Sequence, residues 1–202
     1  ILNNPKVIIQ SLQNFEQEKE NEKKSDNKKK IKSLSSKIFD RNSLIEGNVN
    51  SNKTIVEFFD YNCSYCKRAH LDIKKILNES DDYKIIYKNF PILSENSIKL
   101  AKYAIAISEI DNKKFVKFHN YVLKIKGQIN DATLSSLINE LELDESQIKE
   151  SINNENINKK IKEDYDLANN LGLRGTPAFI IGDEIIFGYI NYDEMLAKLN
   201  QQ

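Results

Sequence analysis

The stretch FFDYNCSYCKR, residues 58–68, contains both cysteines of the 202-residue chain. Cys63 and Cys66 are separated by two residues and follow a run of apolar and aromatic side chains. Such a pair can exchange electrons, bind a metal or close a small structural disulfide. Two cysteines are too few for a disulfide-stapled scaffold, and 40% hydrophobic residues suffice for a core without one. The pair therefore favours a chemical role over a structural one.

The residues around the cysteines predict a strand that runs into a helix. KTIVEFF, residues 53–59, is rich in β-branched and aromatic residues, which is typical of a strand. From Cys63 to Leu77 the apolar residues change to helical spacing. Downstream, the chain predicts a second strand in YKIIYKNFPI, a hairpin formed by PAFIIG and EIIFGY, and a last helix over about 192–200.

The segment between the second strand and the hairpin has helical periodicity. It predicts four helices, at roughly 95–110, 113–126, 132–141 and 145–171. The predicted order is therefore strand, helix, strand, a block of helices, two strands and a helix.

The first 40 residues differ from the rest in composition. Residues 16–30, EQEKENEKKSDNKKK, are almost wholly charged or polar and predict a solvated helix or a flexible linker. Before them, an apolar stripe with helical spacing follows Pro5, at Ile8, Leu12 and Phe15. After them comes a second short amphipathic piece with Ile31, Leu34, Ile38 and Phe39. Neither piece can bury its apolar side alone, so we expect each to pack on the main domain or on copies of itself.

Charge and hydropathy exclude several classes of partner. Thirty basic residues balance thirty acidic ones, so no overall field attracts nucleic acid or an anionic membrane, and we expect no nucleic-acid partner. No apolar run approaches the roughly 18 residues that a membrane-spanning helix needs. The chain starts with Ile1 rather than Met, and we expect a processed or truncated chain from which any export signal is gone.

Taken together, VEFFDYNCSYCKR at 56–68, the helical block and LGLRGTPAFIIGDEIIFGY at 171–189 resemble the DsbA family of thiol-disulfide oxidoreductases. The resemblance covers about residues 53–200 and implies an α/β, thioredoxin-like fold with a helical insertion at about 94–170. The leading arm resembles the oligomerisation arm of a trimeric subgroup, the ScsC-like proteins. We therefore expect residues 1–46 to form a helical oligomerisation arm with a charged linker, and residues 47–202 to form the catalytic domain.

The cysteine chemistry follows from the position of the pair. A cysteine at a helix N-terminus has its thiolate favoured by unpaired backbone amides and by the helix dipole. Cys63 would be that nucleophile, and Cys66, within the first turn, would resolve a mixed disulfide. A plain disulfide and a zinc site are the alternatives, but a zinc site needs more ligands, and His70 and His119 are the only histidines. We interpret His70 as a half-buried packing residue in preference to a catalytic one.

The resemblance also implies roles for residues beside the pair. Thioredoxin-like proteins commonly place a buried acid six positions before the first cysteine, which here is Glu57; burial would raise its pKa so that it accepts a proton from the resolving thiol. The alternative is an acid on an exposed strand face. The family also places a cis proline opposite the cysteines, here Pro177, and leaves the backbone of the preceding Thr176 free to pair with substrate.

Two further positions should tune the redox potential. Ser64 and Tyr65 differ from the Pro-His dipeptide of the strongly oxidising family member, which implies a less oxidising site. Threonine at position 176 resembles isomerase and reductase members more than that oxidase, which has valine there. A turn that merely enters a strand is the alternative for Thr176 and Pro177.

These features predict a homotrimeric protein disulfide isomerase, assembled through residues 1–40, that acts on misfolded or reduced exported proteins. We expect a periplasmic location, a membrane redox partner, no metal, and no cofactor other than the Cys63–Cys66 disulfide. A monomeric dithiol oxidase is the first alternative. An oligomeric chaperone or metal-handling thiol protein without enzymatic activity is the second.

Overall fold

A computed structural model describes residues 5–127 and 129–202. Its elements, in chain order, are α1 (Pro5–Ser33), α2 (Ser35–Ile38), β1 (Leu44–Gly47), β2 (Lys53–Phe59), α3 (Ser64–Glu79), β3 (Tyr83–Asn89), α4 (Glu95–Ile110), α5 (Asn112–Lys124), α6 (Asp131–Glu140), α7 (Glu145–Ser151), α8 (Glu155–Leu171), β4 (Ala178–Ile181), β5 (Glu184–Phe187) and α9 (Tyr192–Leu199). Within this described part of the chain, every helix is too short or too polar to cross a membrane.

The five strands form one mixed sheet in the order β1-β3-β2-β4-β5. β2 and β3 are parallel and are connected through α3, whereas the other neighbouring pairs are antiparallel. β2 lies at the centre of the sheet, between β3 and β4. Six of its seven residues are buried, as expected for a strand with helices on both faces.

Side-chain alternation along β2 divides the core between the two faces of the sheet. Ile55 and Phe59 belong to the larger cluster, which includes Cys66 and the buried residues of α3, α4 and α5. Val56 and Phe58 belong to a second cluster with α8 and the end of α1. Glu57 alternates with Val56 and Phe58, so it shares the face of Ile55 and Phe59. An acidic side chain is thus placed in the larger core.

The thioredoxin-like fold and its helical insertion are confirmed: α4 to α8 lie between β3 and β4. One prediction for the insertion was wrong. The single helix expected over 145–171 is two helices, α7 and α8, with a break at residues 152–154. Asn154 is the N-cap of α8, where its side chain accepts a hydrogen bond from the Asn156 amide and so favours the start of a new helix.

The charged run 16–30 is part of α1, which continues from Pro5 to Ser33, so the structure shows the solvated helix that was one of its two predicted states. The sheet begins before the domain boundary predicted after residue 46, because β1 pairs with β3. The second amphipathic piece packs on the main domain, with Ile31 and Ile38 buried in the second core cluster.

Candidate active site

Cys63 lies at the start of α3, directly after the central strand β2. It is the N-cap residue of α3, and its amide donates to the Asp60 carbonyl at 3.0 Å, closing the turn that follows β2. The side chain of Cys63 is 7% exposed, whereas Cys66, in the first turn of α3, is fully buried. Both thiols are free. The structure therefore brings the two cysteines together with the more accessible one at the helix end.

The surroundings shift the pKa values of the two thiols in opposite directions. A hydrogen bond from the Cys66 thiol lowers the pKa of Cys63 to about 6, and further bonds from Thr176 and from the backbone amides of Cys66 and Tyr65 help to outweigh burial. Burial raises the pKa of Cys66 well above 9.0, and its hydrogen bond to Cys63 and the Glu57 charge add to this effect. At neutral pH, Cys63 is mainly a thiolate and Cys66 is a thiol.

Thr176 and Pro177 lie against Cys63, on the loop that leads into β4. In its protonated form, the Cys63 thiol donates to the carbonyl oxygen of Thr176 at 3.2 Å. The Thr176–Pro177 peptide bond is cis, as the sequence resemblance implied. The hydroxyl Oγ1 of Thr176 is buried and has no other hydrogen-bond partner among the described residues, and its interaction with the Cys63 sulfur is one of those that lower the pKa of Cys63. These contacts place Thr176 next to the sulfur that would attack a substrate.

Glu57 is buried rather than exposed on a strand face. Its side chain is 1% exposed, and neither carboxylate oxygen has a hydrogen-bond partner among the residues that the structure describes. Burial, followed by the charge of Cys63, raises the pKa of Glu57 to about 8. Because burial without hydrogen bonds disfavours the charged form, Glu57 holds its proton at neutral pH. Its role in proton transfer stays a prediction.

Ser64 and Tyr65 lie on the outer side of the helix start. Both are exposed, and the Tyr65 ring, 59% exposed, lies 6.3 Å from the ring of Tyr189. The amide of Tyr65 acts on the Cys63 sulfur, whereas its ring extends toward solvent. The site therefore presents an aromatic side chain beside Cys63.

His70 and His119 occupy the interior instead of the site surface. Both are 0% exposed, and burial lowers the pKa of His70 to about 3. His119 Nδ1 lies 3.0 Å from the Tyr61 hydroxyl, and the two histidine rings are 5.5 Å apart. The described residues contain no group of three or more potential metal ligands. The interpretation of His70 as a packing residue agrees with this position, although it is fully rather than half buried.

Two polar residues that the sequence analysis did not single out hold the loop before Cys63. Asp60 is 1% exposed and accepts hydrogen bonds from the amides of Asn62, Ile92 and Leu93. Asn62 donates to Ser94 and Ser97 at the start of α4. The signal in the sequence was an aspartate directly after a buried strand, where Asp and Asn typically satisfy loop and helix-start amides.

Comparisons with known proteins agree with this geometry. The family model of the DSBA-like thioredoxin domain matches residues 54–200. The solved thiol-disulfide exchange protein alpha-DsbA2 from Wolbachia pipientis is 32% identical, with a TM-score of 0.83 over 89% of this chain and 97% of that one. The catalytic domain of ScsC from Proteus mirabilis is 25% identical, with a TM-score of 0.77 over 86% and 97% of the two chains.

Curated relatives fall into two groups of different length. Disulfide bond formation protein D of Bacillus subtilis is 24% identical over 159 residues, which cover 74% of this chain and 72% of that protein. Na(+)/H(+) antiporter NhaA 1 of Salinispora arenicola is 23% identical over 146 residues, 72% of this chain. That match covers 22% of the antiporter, so the chain spans about a fifth of the length of the first curated relatives it matches.

Proposed function

Because the chain belongs to the DSBA-like thioredoxin domain family, as its sequence predicted, we propose that it is a thiol-disulfide oxidoreductase acting on exported proteins. The observation that carries the proposal is the opposite shift of the two thiol pKa values. Cys63, with a pKa of about 6, supplies a thiolate at neutral pH, while Cys66 stays protonated until Cys63 has reacted. A thiolate, not a thiol, attacks a disulfide.

The reaction begins when the Cys63 thiolate attacks one sulfur of a client disulfide. The client S–S bond breaks, a Cys63–client disulfide forms, and the other client sulfur leaves as a thiolate. If a client thiolate then attacks the client sulfur of this mixed disulfide, Cys63 is regenerated and the client has been isomerised without net electron transfer. If Cys66 loses its proton and attacks Cys63 Sγ, the client is reduced by two electrons and the Cys63–Cys66 disulfide forms.

Isomerisation by a homotrimer is the activity that we favour. It needs reduced Cys63 and a way to hold a client while successive bonds are attacked. The first half of α1 supports this, because its large apolar side chains are 41% to 58% exposed; they are Val7, Ile8, Ile9, Leu12 and Phe15. Self-association of α1 buries this stripe, and we infer that the chain assembles through residues 1–40 on the ground of this exposed apolar surface. Linked copies raise the effective concentration of Cys63 around one client.

A dithiol oxidase is the second candidate, and the Cys63 pKa of about 6 favours it. A stabilised thiolate lowers the free energy of the reduced form and so makes the disulfide a stronger oxidant. This reaction transfers the Cys63–Cys66 disulfide to a client dithiol, and a membrane redox partner must then remove two electrons from the enzyme. The alternative of another class is an oligomeric chaperone or metal-handling protein, in which the cysteine pair binds without exchanging disulfides.

We place the protein outside the cytoplasm, in an oxidising compartment such as the bacterial periplasm, because dithiol chemistry on exported proteins takes place there. The clients would be misfolded or reduced exported proteins. The redox partner would be a membrane protein that keeps the Cys63–Cys66 pair either reduced, for isomerisation, or oxidised, for disulfide donation.

Two measurements on the full chain separate these candidates. The first is the two-electron potential of the Cys63–Cys66 pair in glutathione buffers; a value near about −120 mV favours the oxidase, and one near about −270 mV favours a reductase. The second is reactivation of a scrambled disulfide protein, which requires isomerase activity. A pair without any measurable two-electron potential would contradict both enzymatic functions.

A further inference from the structure

A cleft of about 460 Å³ opens directly beside the N-terminus of α3. One wall includes Asn62 and Ser64, the two residues that flank Cys63 in the sequence. This wall continues along α3 to Leu71. The opposite wall is the end of α5 and the segment that follows it, from Leu123 to Gly127. A polypeptide held at Cys63 therefore has this cleft as its neighbour.

The charged side chains of the cleft are all basic. Lys67 and Arg68 come from α3, and Lys124 and Lys126 come from the opposite wall. Among the described residues, none of the four is in a salt bridge, although many other lysines of the chain are paired. Although the net charge of the chain is zero, the electrostatic field next to the reactive sulfur is therefore positive.

Two of these cations are held in place by neutral partners. Lys67 Nζ donates to the carbonyl oxygens of Ile125 and Gly127, at 2.7 and 2.6 Å, and so connects the two walls. The Arg68 guanidinium lies 4.5 Å from the centre of the Tyr189 ring. Neither contact neutralises the positive charge, and the exposed Lys124 and Lys126 remain free to meet an acidic group.

The cleft also has an apolar part. Leu71 is 60% exposed although it lies on a helix that packs against the core, and Ile125 is partly buried on the opposite wall. Mixed apolar and basic walls fit an extended peptide better than a small anion. From Ser64 to Leu71 the helix rises by roughly 10 Å, about the length of three extended residues.

We propose that this cleft selects client segments that carry an acidic residue two to four positions from the reacting cysteine, with an apolar residue beside it. The inference rests on the proposed function, since it assigns a substrate class to the same site. The peptide carboxylate meets Lys124 and Lys126, and the apolar side chain packs on Leu71. Complementary charge of this kind mainly increases the rate of association and decreases with salt.

The test uses the full chain with Cys66→Ser, so that the reaction stops at the mixed disulfide. Three matched peptides contain one cysteine, activated as a 2-thiopyridyl disulfide, and Glu, Gln or Lys three residues away on either side. Attack by Cys63 on the peptide sulfur releases 2-thiopyridone, whose absorbance gives the rate. The same peptides attacked by 2-mercaptoethanol correct for their intrinsic reactivity.

We expect the Glu peptide to react about tenfold faster than the Lys peptide at low salt, with a smaller ratio in 0.5 M NaCl, about the concentration at which the Debye length falls below 5 Å. K124E/K126E should reverse the preference, and K124Q/K126Q should reduce it to what Lys67 and Arg68 supply. K159E/K162E, on α8, makes the same change in net charge and should keep it.

Equal corrected rates for the Glu and Lys peptides at low salt would overturn the inference, as would an unchanged preference in K124E/K126E. If K159E/K162E lost the preference for the Glu peptide to the same extent as K124E/K126E, the effect would come from the net charge of the protein. That result would also overturn the inference. Failure to react with any peptide, including the neutral Gln peptide, would instead contradict the proposed function itself, and with it the cleft's role.

Discussion

When it is protonated, the thiol of Cys63 donates a hydrogen bond of 3.2 Å to the carbonyl oxygen of Thr176, a residue 113 positions later in the chain. The start of α3 and the loop before β4 thus meet at the sulfur. Because the Thr176 hydroxyl is buried beside the same sulfur without another partner among the described residues, Thr176 can influence Cys63 through both its backbone and its side chain.

Thr176→Val should raise the pKa of Cys63. The wild-type pKa is about 6, and the hydrogen bond from Thr176 is one of the contributions that lower it, after that of the Cys66 thiol. Loss of a hydrogen bond to a charged group should raise the pKa by about one unit. Thiolate absorbance at 240 nm, followed against pH, measures this. Thr176→Ser keeps the hydroxyl and should retain the low pKa; equal values in the two variants would exclude a role for the hydroxyl.

The two cysteines should differ in the effect of substitution. Cys66→Ser leaves the Cys63 thiolate able to attack but removes the group that releases it, so disulfide-linked complexes with clients should accumulate on nonreducing gels. Cys63→Ser should form none, because burial leaves Cys66 fully inaccessible and holds its pKa well above 9.0. Complexes of similar amount in both variants would contradict the assigned roles.

Glu57→Gln should change how stability depends on pH. The pKa of Glu57 rises from 4.5 to about 8 in the folded protein, so between these values the folded state binds a proton that the unfolded state releases. Stability from this group therefore falls with rising pH, by up to about 1.4 kcal/mol per unit. Glutamine has no such dependence.

Urea unfolding of the reduced proteins at pH 5, 6, 7 and 8 tests this. The stability of Glu57→Gln minus that of wild type should increase with pH across the range. Cys63 contributes the opposite slope, because its pKa is lowered to about 6, but it is present in both proteins. A difference that stays constant with pH would show that Glu57 titrates normally.

Removal of residues 1–22 should separate assembly from chemistry. This truncation deletes the exposed apolar stripe but keeps Lys28, which pairs with Asp183 at 2.6 Å, and the buried Ile31. A deletion through residue 40 would also remove Ile31 and Ile38 from the second core cluster and so destabilise the domain. We expect a folded monomer that still exchanges disulfides with small peptides but loses most of its activity on scrambled proteins.

Light scattering gives the mass of the full and truncated chains. L12E/F15E is a matched variant of full length, and it should behave like the truncation, since a charge on the stripe opposes its burial. A monomeric full-length protein would contradict the role of the arm. Undiminished isomerase activity in the truncated protein would show that assembly does not support isomerisation.

The sequence was most informative where a pattern was local and strong. KTIVEFF and YKIIYKN are strands, and the helix start at Cys63 followed from a change in periodicity. β1 was missed because four residues, LIEG, carry too little pattern to distinguish an edge strand from a loop. The run 16–30 has no apolar periodicity, so its composition alone does not separate a solvated helix from a linker.

The environment of Glu57 depended on tertiary structure. Its neighbours in sequence predict a strand, but only the positions of β3 and β4 on either side of β2 decide that the strand is central and its acid buried. The basic residues of the cleft could not be grouped from the sequence for the same reason. Lys67 and Lys126 are distant in sequence, and they lie near each other because Lys67 donates hydrogen bonds to the backbone carbonyls on either side of Lys126.

Because α1 is one continuous helix, it fixes the direction in which the apolar stripe faces relative to the domain, as well as the distance between them. Its 29 residues extend over about 43 Å, and each residue turns the helix by about 100°. Removing seven residues from the charged stretch would shorten the arm by about 10 Å yet rotate the apolar stripe by only about 20° relative to the domain. Removing two would shorten it by about 3 Å but turn the stripe to nearly the opposite side. The direction in which Cys63 faces relative to the stripe is therefore encoded by the number of charged residues between them, independently of which charges those residues carry.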